Sequence, residues 1–333
     1  MKFALRPKTV TTVLFTTILA ACQTQNINEE PPAPKTLISS IQEKVEDPGL
    51  KRCLQTYQEN YQFAEEVRAI HCRNHGIKSF EGLESFVELR QINLAKNSLE
   101  VVDLRPFPHL ESAYFHENNL TQITVSDMPA LQHLFLGKNQ IVELLLKGLP
   151  NLRTVNIEDN HLGKLVFATP MEDFDSLFAS QNLLSELDLT QVPNIENVWI
   201  NNNFVTELTL AKNRDLVLLS ANHNQLQSLD VSKQAKLEVL YLNNNQLTSL
   251  DIATATKLKR LNADYNRLTQ FDLSRNQLLS KLSLANNQIT EVPQGLNLIA
   301  RGTALLNLRN NPFTDAAKEQ LEKAKRRLKL LVY

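Results

Sequence analysis

Few residues of this chain are equipped for chemistry, and they are poorly assembled for catalysis. No glycine-rich phosphate loop, no Gly-x-Ser-x-Gly and no His-Glu-x-x-His run occurs in the 333 residues. Phosphoryl transfer, triad-type hydrolysis and zinc proteolysis therefore have no recognisable carrier. The three cysteines are Cys22, Cys53 and Cys72. Only His71 and His75 lie near the last two, and no second cysteine pair supplies zinc-like spacing. In an oxidising compartment Cys53 and Cys72 read as a disulfide, with two buried free thiols as the alternative. No metal and no cofactor is expected.

Cys22 has a different setting. The chain opens "MKFALRPKTVTTVLFTTILAACQ", with Lys2, Arg6 and Lys8 ahead of an apolar run from Val10 to Ala21. That run is shorter than the ~20 residues needed to span a bilayer and has the proportions of a signal peptide. Its end, Leu19-Ala20-Ala21-Cys22, resembles the lipobox of bacterial lipoproteins. The resemblance implies cleavage before Cys22, a diacylglycerol on its sulfur and stable anchoring by several acyl chains. Gln23 after the cysteine, where aspartate would signal inner-membrane retention, implies delivery to the outer membrane. Residues 1–21 are thus expected to be a signal peptide, and 22–47, polar with prolines and acids, a lipidated cysteine followed by a flexible tether.

Losing Lys2, Arg6 and Lys8 from the 35 basic residues leaves 32 against 36 acidic, a net charge near −4. That balance does not suggest a nucleic-acid partner.

The organisation of the rest emerges from a repeat. Asn97, Asn118, Asn139, Asn160, Asn182, Asn203, Asn224, Asn245, Asn266, Asn287 and Asn311 each close a Leu-x-x-Leu-x-Leu-x-x-Asn-x-Leu run. Their spacing is 21 residues apart from one gap of 22 and one of 24. Apolar residues recur eight, five and three places before each asparagine, and two, five and usually seven after it. A degenerate first turn places Val67, Ile70, Cys72, His75 and Ile77 in the same frame. These runs resemble leucine-rich repeats over about residues 65 to 313, and the short units ending "LTSLDI" or "LQSLDV" are similar to the bacterial class called IRREKO. The resemblance implies a repeat solenoid: a horseshoe or arc with parallel strands on its concave face.

Physical chemistry points the same way. A unit this short cannot bury its own apolar face, but stacked units join those faces into one core. In "LEVLYLNNNQLTSLD" (residues 237 to 251), Leu240 and Leu242 point inward and force Tyr241 outward. Asn245 can satisfy backbone donors and acceptors in the turn after the strand, and copies at the ~4.8 Å strand spacing can form a ladder. Asp188, Asp230, Asp251 and Asp272 recur once per turn, usually with Ser or Thr two residues later, and read as turn residues on the convex side.

With the inward positions assigned, the outward column runs Asn93, Tyr114, Phe135, Asn156, Phe178, Trp199, Ser220, Tyr241, Asn262, Ser283 and Asn307. Five of these eleven are aromatic in a chain that is 6% aromatic, which suggests an interaction surface. Flanking columns add His116, His133, Glu158, Ser180, Asn197, Asn201, Asn222, Asn243, Arg260 and Asp264. His116 and His133 fall in adjacent turns but in outward columns four residues apart, roughly 13 Å, too far to share a metal. The expected contact residues are Tyr114, Phe135, Phe178, Trp199, Tyr241, Asn201, Asn222 and Asn243. Such a neutral, amide-rich, aromatic face suits a protein partner; a glycan, including peptidoglycan, and a purely structural envelope role are the alternatives.

Both open ends of a solenoid need covers. Residues 48–66 are expected to form a helical cap beginning near Pro48, with Cys53 within reach of Cys72. The solenoid then occupies 67–313, about twelve turns. Residues 314–333 form the C-terminal cap: Thr314 or Asp315 as N-cap, a helix to about Arg327 and a short strand through Val332. The basic cluster Lys323, Lys325, Arg326, Arg327 and Lys329 reads as its solvated face. The expectation is a monomeric, lipid-anchored outer-membrane protein that binds and does not catalyse.

Overall fold

A computed structural model describes residues 35–299, 305–326, 328 and 330–333. The segment expected to be a signal peptide and Cys22 lie outside these residues, as do Arg327 and Lys329.

Alternating leucines build the main sheet. Each of twelve turns contributes one short strand to it and the C-terminal cap a thirteenth, and these strands, from Ala69–His71 to Leu330–Val332, pair in parallel and in chain order. The register advances one repeat at a time, so Trp199 lies beside Phe178 and Ser220, and Ser220 beside Tyr241. Within the repeat around Asn245, Leu237, Leu240, Leu242 and Leu247 are fully buried and Leu250 nearly so, while Tyr241 is half-buried on the other face. The fold thus has the expected solenoid architecture with parallel strands.

The asparagines hold the turn that follows each strand. Asn245 Nδ2 donates to the Leu242 carbonyl in its own turn (3.1 Å) and to the Ala221 carbonyl in the turn before (2.9 Å). Its Oδ1 accepts from Leu226 N–H of that preceding turn (3.0 Å). The same pattern recurs at Asn118, Asn139, Asn160, Asn182, Asn203, Asn224, Asn266 and Asn287. The ladder therefore runs from amide to backbone, not from amide to amide. In the degenerate first turn His75 takes the position, its Nδ1 2.9 Å from the Arg73 carbonyl. The residue ahead of each asparagine is left-handed, from Lys96 (φ 58°) to Asn310 (φ 56°).

The outer side of the coil is less regular. Its strands pair only two by two: Val101–Asp103 with Gln122–Thr124, Glu143–Leu146 with Lys164–Phe167, and Glu186–Asp188 with Glu207–Thr209. Asp188, Asp230, Asp251 and Asp272 each accept from the backbone N–H two residues on at 2.8 Å, the turn chemistry expected of them. A second buried amide column, Asn213, Gln234 and Asn276, also donates to carbonyls of the preceding turn.

The N-terminal cap is larger than expected. Helix α1 (Ile38–Lys44) lies inside the stretch assigned to the tether, because Ile38, Ile41 and Val45 recur at helical spacing and are buried. The tether expectation is therefore corrected for residues 35–47; residues 22–34 are outside the described part. Helix α2 (Pro48–Gln58) begins where expected, with Asp47 accepting from Leu50 N–H. The other Asp47 oxygen accepts from Lys78 and Ser79 N–H, which ties the cap to the first turn. Burial alone would raise this carboxyl, but these backbone donors outweigh it and hold it below the usual aspartate range. Cys53 of α2 is bonded to Cys72 with Cα atoms 5.7 Å apart. Closing a loop of this size contributes roughly 3 kcal/mol on the chain-entropy account. Tyr57 Oη accepts from His71 N–H at 2.6 Å and so covers the first strand's edge. At the other end, helix α3 (Asp315–Lys325) is capped by Thr314 and buries Ala317 and Leu321, and Leu330–Val332 pairs with Leu305–Asn307. Lys323, Lys325 and Arg326 are exposed, and Lys323 pairs with Glu319.

Neighbouring residues of one repeat should therefore differ sharply in stability. Leu240→Ala is expected to lose about 2 to 5 kcal/mol through the cavity left behind, and Asn245→Ala about 1 to 3 kcal/mol through unpaired backbone groups. Tyr241→Ala and Trp199→Ala should change the denaturation midpoint much less. Urea denaturation of the four variants checks this; a Trp199 loss equal to that of Leu240 would make the aromatic column part of the core.

Candidate binding face

Alternation along each strand places the expected column on the face away from the core, and the structure adds how the rings stand. Tyr114 stacks on Phe135 with centroids 4.9 Å apart and planes 3° apart. Phe178 stacks on Trp199 at 4.4 Å and 6°. Both separations are close to the ~4.8 Å between paired strands. The rings therefore stand on edge, one behind another along the sheet. Each stack presents ring edges outward and keeps one outer face at each end.

Tyr241 belongs to neither stack. Ser220 lies between it and Trp199, is only 3% exposed and bonds to Asn201 Oδ1 at 2.7 Å. Leu218 and Val239 occupy the adjacent outward column of the same two strands and are half-buried. Together with Phe178 and Trp199 they bring four large apolar side chains to the outward face of four successive strands. Sequence reasoning passed over Leu218 and Val239, although an aliphatic residue in an otherwise polar outward column was the available signal.

The amides prove to have work inside the sheet. Asn201 Oδ1 accepts from Asn222 N–H, Asn222 Oδ1 from Asn243 N–H, Asn243 Oδ1 from Asp264 N–H, and Asp264 Oδ1 from Ala285 N–H, at 2.7 to 3.0 Å. Asn201, Asn222 and Asn243 are therefore framework residues along one edge of the face, and their carbonyl oxygens are already engaged. This qualifies the expectation that they serve a partner. His133 lies against Phe135, with ring centroids 6.4 Å apart.

Comparison with known proteins follows from this geometry. A family model described as leucine-rich repeat matches residues 236–256, the repeat around Asn245. The fold is a leucine-rich repeat solenoid. Among solved structures, an internalin (inlF) from Listeria monocytogenes superposes with a TM-score of 0.56 at 20% identity, covering 85% of this chain and 94% of that one. YopM from Yersinia enterocolitica gives 0.64 at 22% identity over 79% of this chain and 55% of its own. The LRIM1/APL1C complex gives 0.63 at 22%, over 81% and 52%. At these identities the leucine-rich repeat solenoids share the fold with this chain. No curated protein sequence matches it.

The ladder makes a pH-dependent prediction. Asp264 stands where the three preceding turns carry asparagine, and burial raises its carboxyl above the usual aspartate range despite the bonds from Ser283 and Ala285. The folded state then holds this proton more tightly than the unfolded state, so stability contributed by the protonated form falls as pH rises through the raised value. Asp264→Asn keeps an acceptor for Ala285 and removes the charge. It should raise the melting temperature at pH 7, with the gain shrinking toward pH 4; thermal melts across that range, with an undiminished gain at pH 4 counting against this account, test it.

Proposed function

We propose that this chain is a membrane-anchored, non-catalytic binding module that recognises a protein partner through the concave, strand-lined face of its solenoid. The observation that carries the reading is the patch of Phe178, Trp199, Leu218, Val239 and Tyr241. It is a run of large side chains on the face opposite the core, of the residue types that dominate interface energetics. Stacking favours a protein over a glycan. Sugar recognition uses open ring faces, whereas Tyr114, Phe135, Phe178 and Trp199 each spend a face on a neighbour and offer edges. LRIM1, a leucine-rich repeat relative in fold, is found in complex with APL1C, which is in keeping with a binding role for such a scaffold.

A photo-crosslinking residue at position 241 tests the face, with position 145 on an outer strand as control. A protein adduct should form from position 241 and weaken when Trp199→Ala is added, because truncating a hot-spot aromatic commonly costs about 2 kcal/mol or more. Adducts formed equally from position 145, or indifferent to Trp199, would remove the concave face from the proposal.

Anchoring rests on Leu19-Ala20-Ala21-Cys22 and on Gln23. On this reading the chain is held in the outer membrane by lipid on Cys22. Cys22→Ser should abolish labelling by radioactive palmitate and leave the protein unprocessed or released. Unchanged outer-membrane fractionation of that variant would end the lipoprotein reading.

A further inference from the structure

The outward column that contains His116 and Glu158 is interrupted between them by Gly137. The interruption has a steric cause. A Cβ on Gly137 would lie 2.8 Å from Asn156 Oδ1 and 3.3 Å from the Glu158 carbonyl. Where that side chain is missing, the face opens into a notch of about 300 Å³, lined among others by Phe135, Asn156 and Glu158.

Three features of the notch converge on one kind of guest. Phe135 has one ring face taken by Tyr114; since the rings are parallel and stacked along the sheet, its other face looks toward Asn156 in the next strand. Asn156 in turn steadies Glu158: its Oδ1 accepts from Glu158 N–H at 3.2 Å, and its Nδ2 reaches Glu158 Oε2 at 3.4 Å. A carboxylate is thereby held in the notch that Phe135 also lines, on the side that Tyr114 leaves free. Charge adds a sign. On one rim Lys96 pairs with Glu117 at 3.2 Å, and Lys138 is also drawn to Glu117. On the other, Glu158 and Asp159 form no ion pair among the described residues, so the charged residues that line the notch, Glu117, Lys138, Glu158 and Asp159, sum to two negative charges, with Lys96 and Arg73 outside the lining. Burial, with Arg73, Lys96 and Lys138 nearby, holds the His116 ring below the usual histidine range in spite of Glu117, so it adds no cation near neutral pH.

We propose that this notch receives a basic side chain, guanidinium or ammonium, contributed by the protein partner. The aliphatic stem and the cation would lie over the free face of Phe135 while the charged head meets the Glu158 carboxylate, combining a cation–π contact with a charge-assisted hydrogen bond. The inference builds on the concave-face reading and gives it a chemical selectivity. The aromatic patch supplies apolar anchoring, and the notch supplies a demand for positive charge at one point.

The test uses random dodecapeptides displayed on phage and selected against the folded chain. Enriched peptides should share a basic residue. In a synthetic peptide of that sequence, replacing the basic residue by a neutral isostere, citrulline for arginine, should weaken binding on the order of tenfold. The penalty should vanish against Glu158→Gln and against Gly137→Ala, in the manner of a double-mutant cycle. Melting curves matching the unsubstituted chain confirm that both variants are folded. Enriched peptides without a common basic position, a penalty unchanged by Glu158→Gln, or a selection yielding no peptide sensitive to Glu158→Gln each overturn the proposal. Trp199→Ala reads the larger hypothesis separately: it should weaken every selected peptide while leaving the citrulline penalty intact. Indifference to Trp199→Ala would defeat the apolar patch without touching the notch.

Discussion

The structure depends on one problem repeated along the chain: how to turn a backbone sharply inside a dry coil without abandoning its hydrogen bonds. An unpaired buried backbone group costs about 1 to 3 kcal/mol, and the coil presents several in each turn. The recurrent asparagine answers with a donor pair and an acceptor on one short side chain, reaching both its own turn and the one before. These bonds also offset a local penalty. The residue ahead of each asparagine is left-handed and is not glycine, a conformation that costs roughly 1 to 2 kcal/mol for an L residue. Because the asparagine clamps across turns, stability is shared between neighbours, and the coil propagates as a stack.

Curvature follows from packing on the two sides. The strands that carry the aromatic column pair without interruption through thirteen neighbours, whereas the outer strands pair in twos, with a single bridge, Ser126 to Lys147, linking the first pair to the second. A coil that closes toward its continuous sheet stretches its far side, where hydrogen-bond distance cannot be kept at every step. The closed side is then the one on which outward side chains crowd, and the stacking of Phe178 on Trp199 at strand spacing expresses that crowding. Caps complete the coil: the disulfide and Tyr57 at the first strand, α3 and a last strand at the other end.

Much of this was legible in the sequence because it depends on period. Leucine spacing gives the inward positions, alternation sends Tyr241 and Trp199 outward, and the asparagine frame marks each turn. What escaped has physical reasons. Helix α1 hid in a polar segment because three buried residues, Ile38, Ile41 and Val45, suffice to dock it. The left-handed residues range from Lys96 to Tyr265: five of the eleven are asparagine or aspartate, and the others take the same backbone geometry because the clamp imposes it. Asn201, Asn222 and Asn243 looked like free surface amides; their bonds run to a backbone 21 residues away, and only the register reveals them. Ring orientation was likewise beyond reach, being set by rotamers chosen jointly by two neighbouring turns.

The reach of each asparagine has an evolutionary consequence. Since Asn245 bonds no further than the preceding turn, a 21-residue unit gained or lost in frame leaves every remaining clamp with a partner of the same kind. Duplication or deletion then alters chiefly the distance between Phe135 and Tyr241, in steps of one strand, about 4.8 Å. The solenoid acts as a ruler with fixed gradations, along which selection could respace its anchoring groups to fit a longer or shorter target without redesigning the interior.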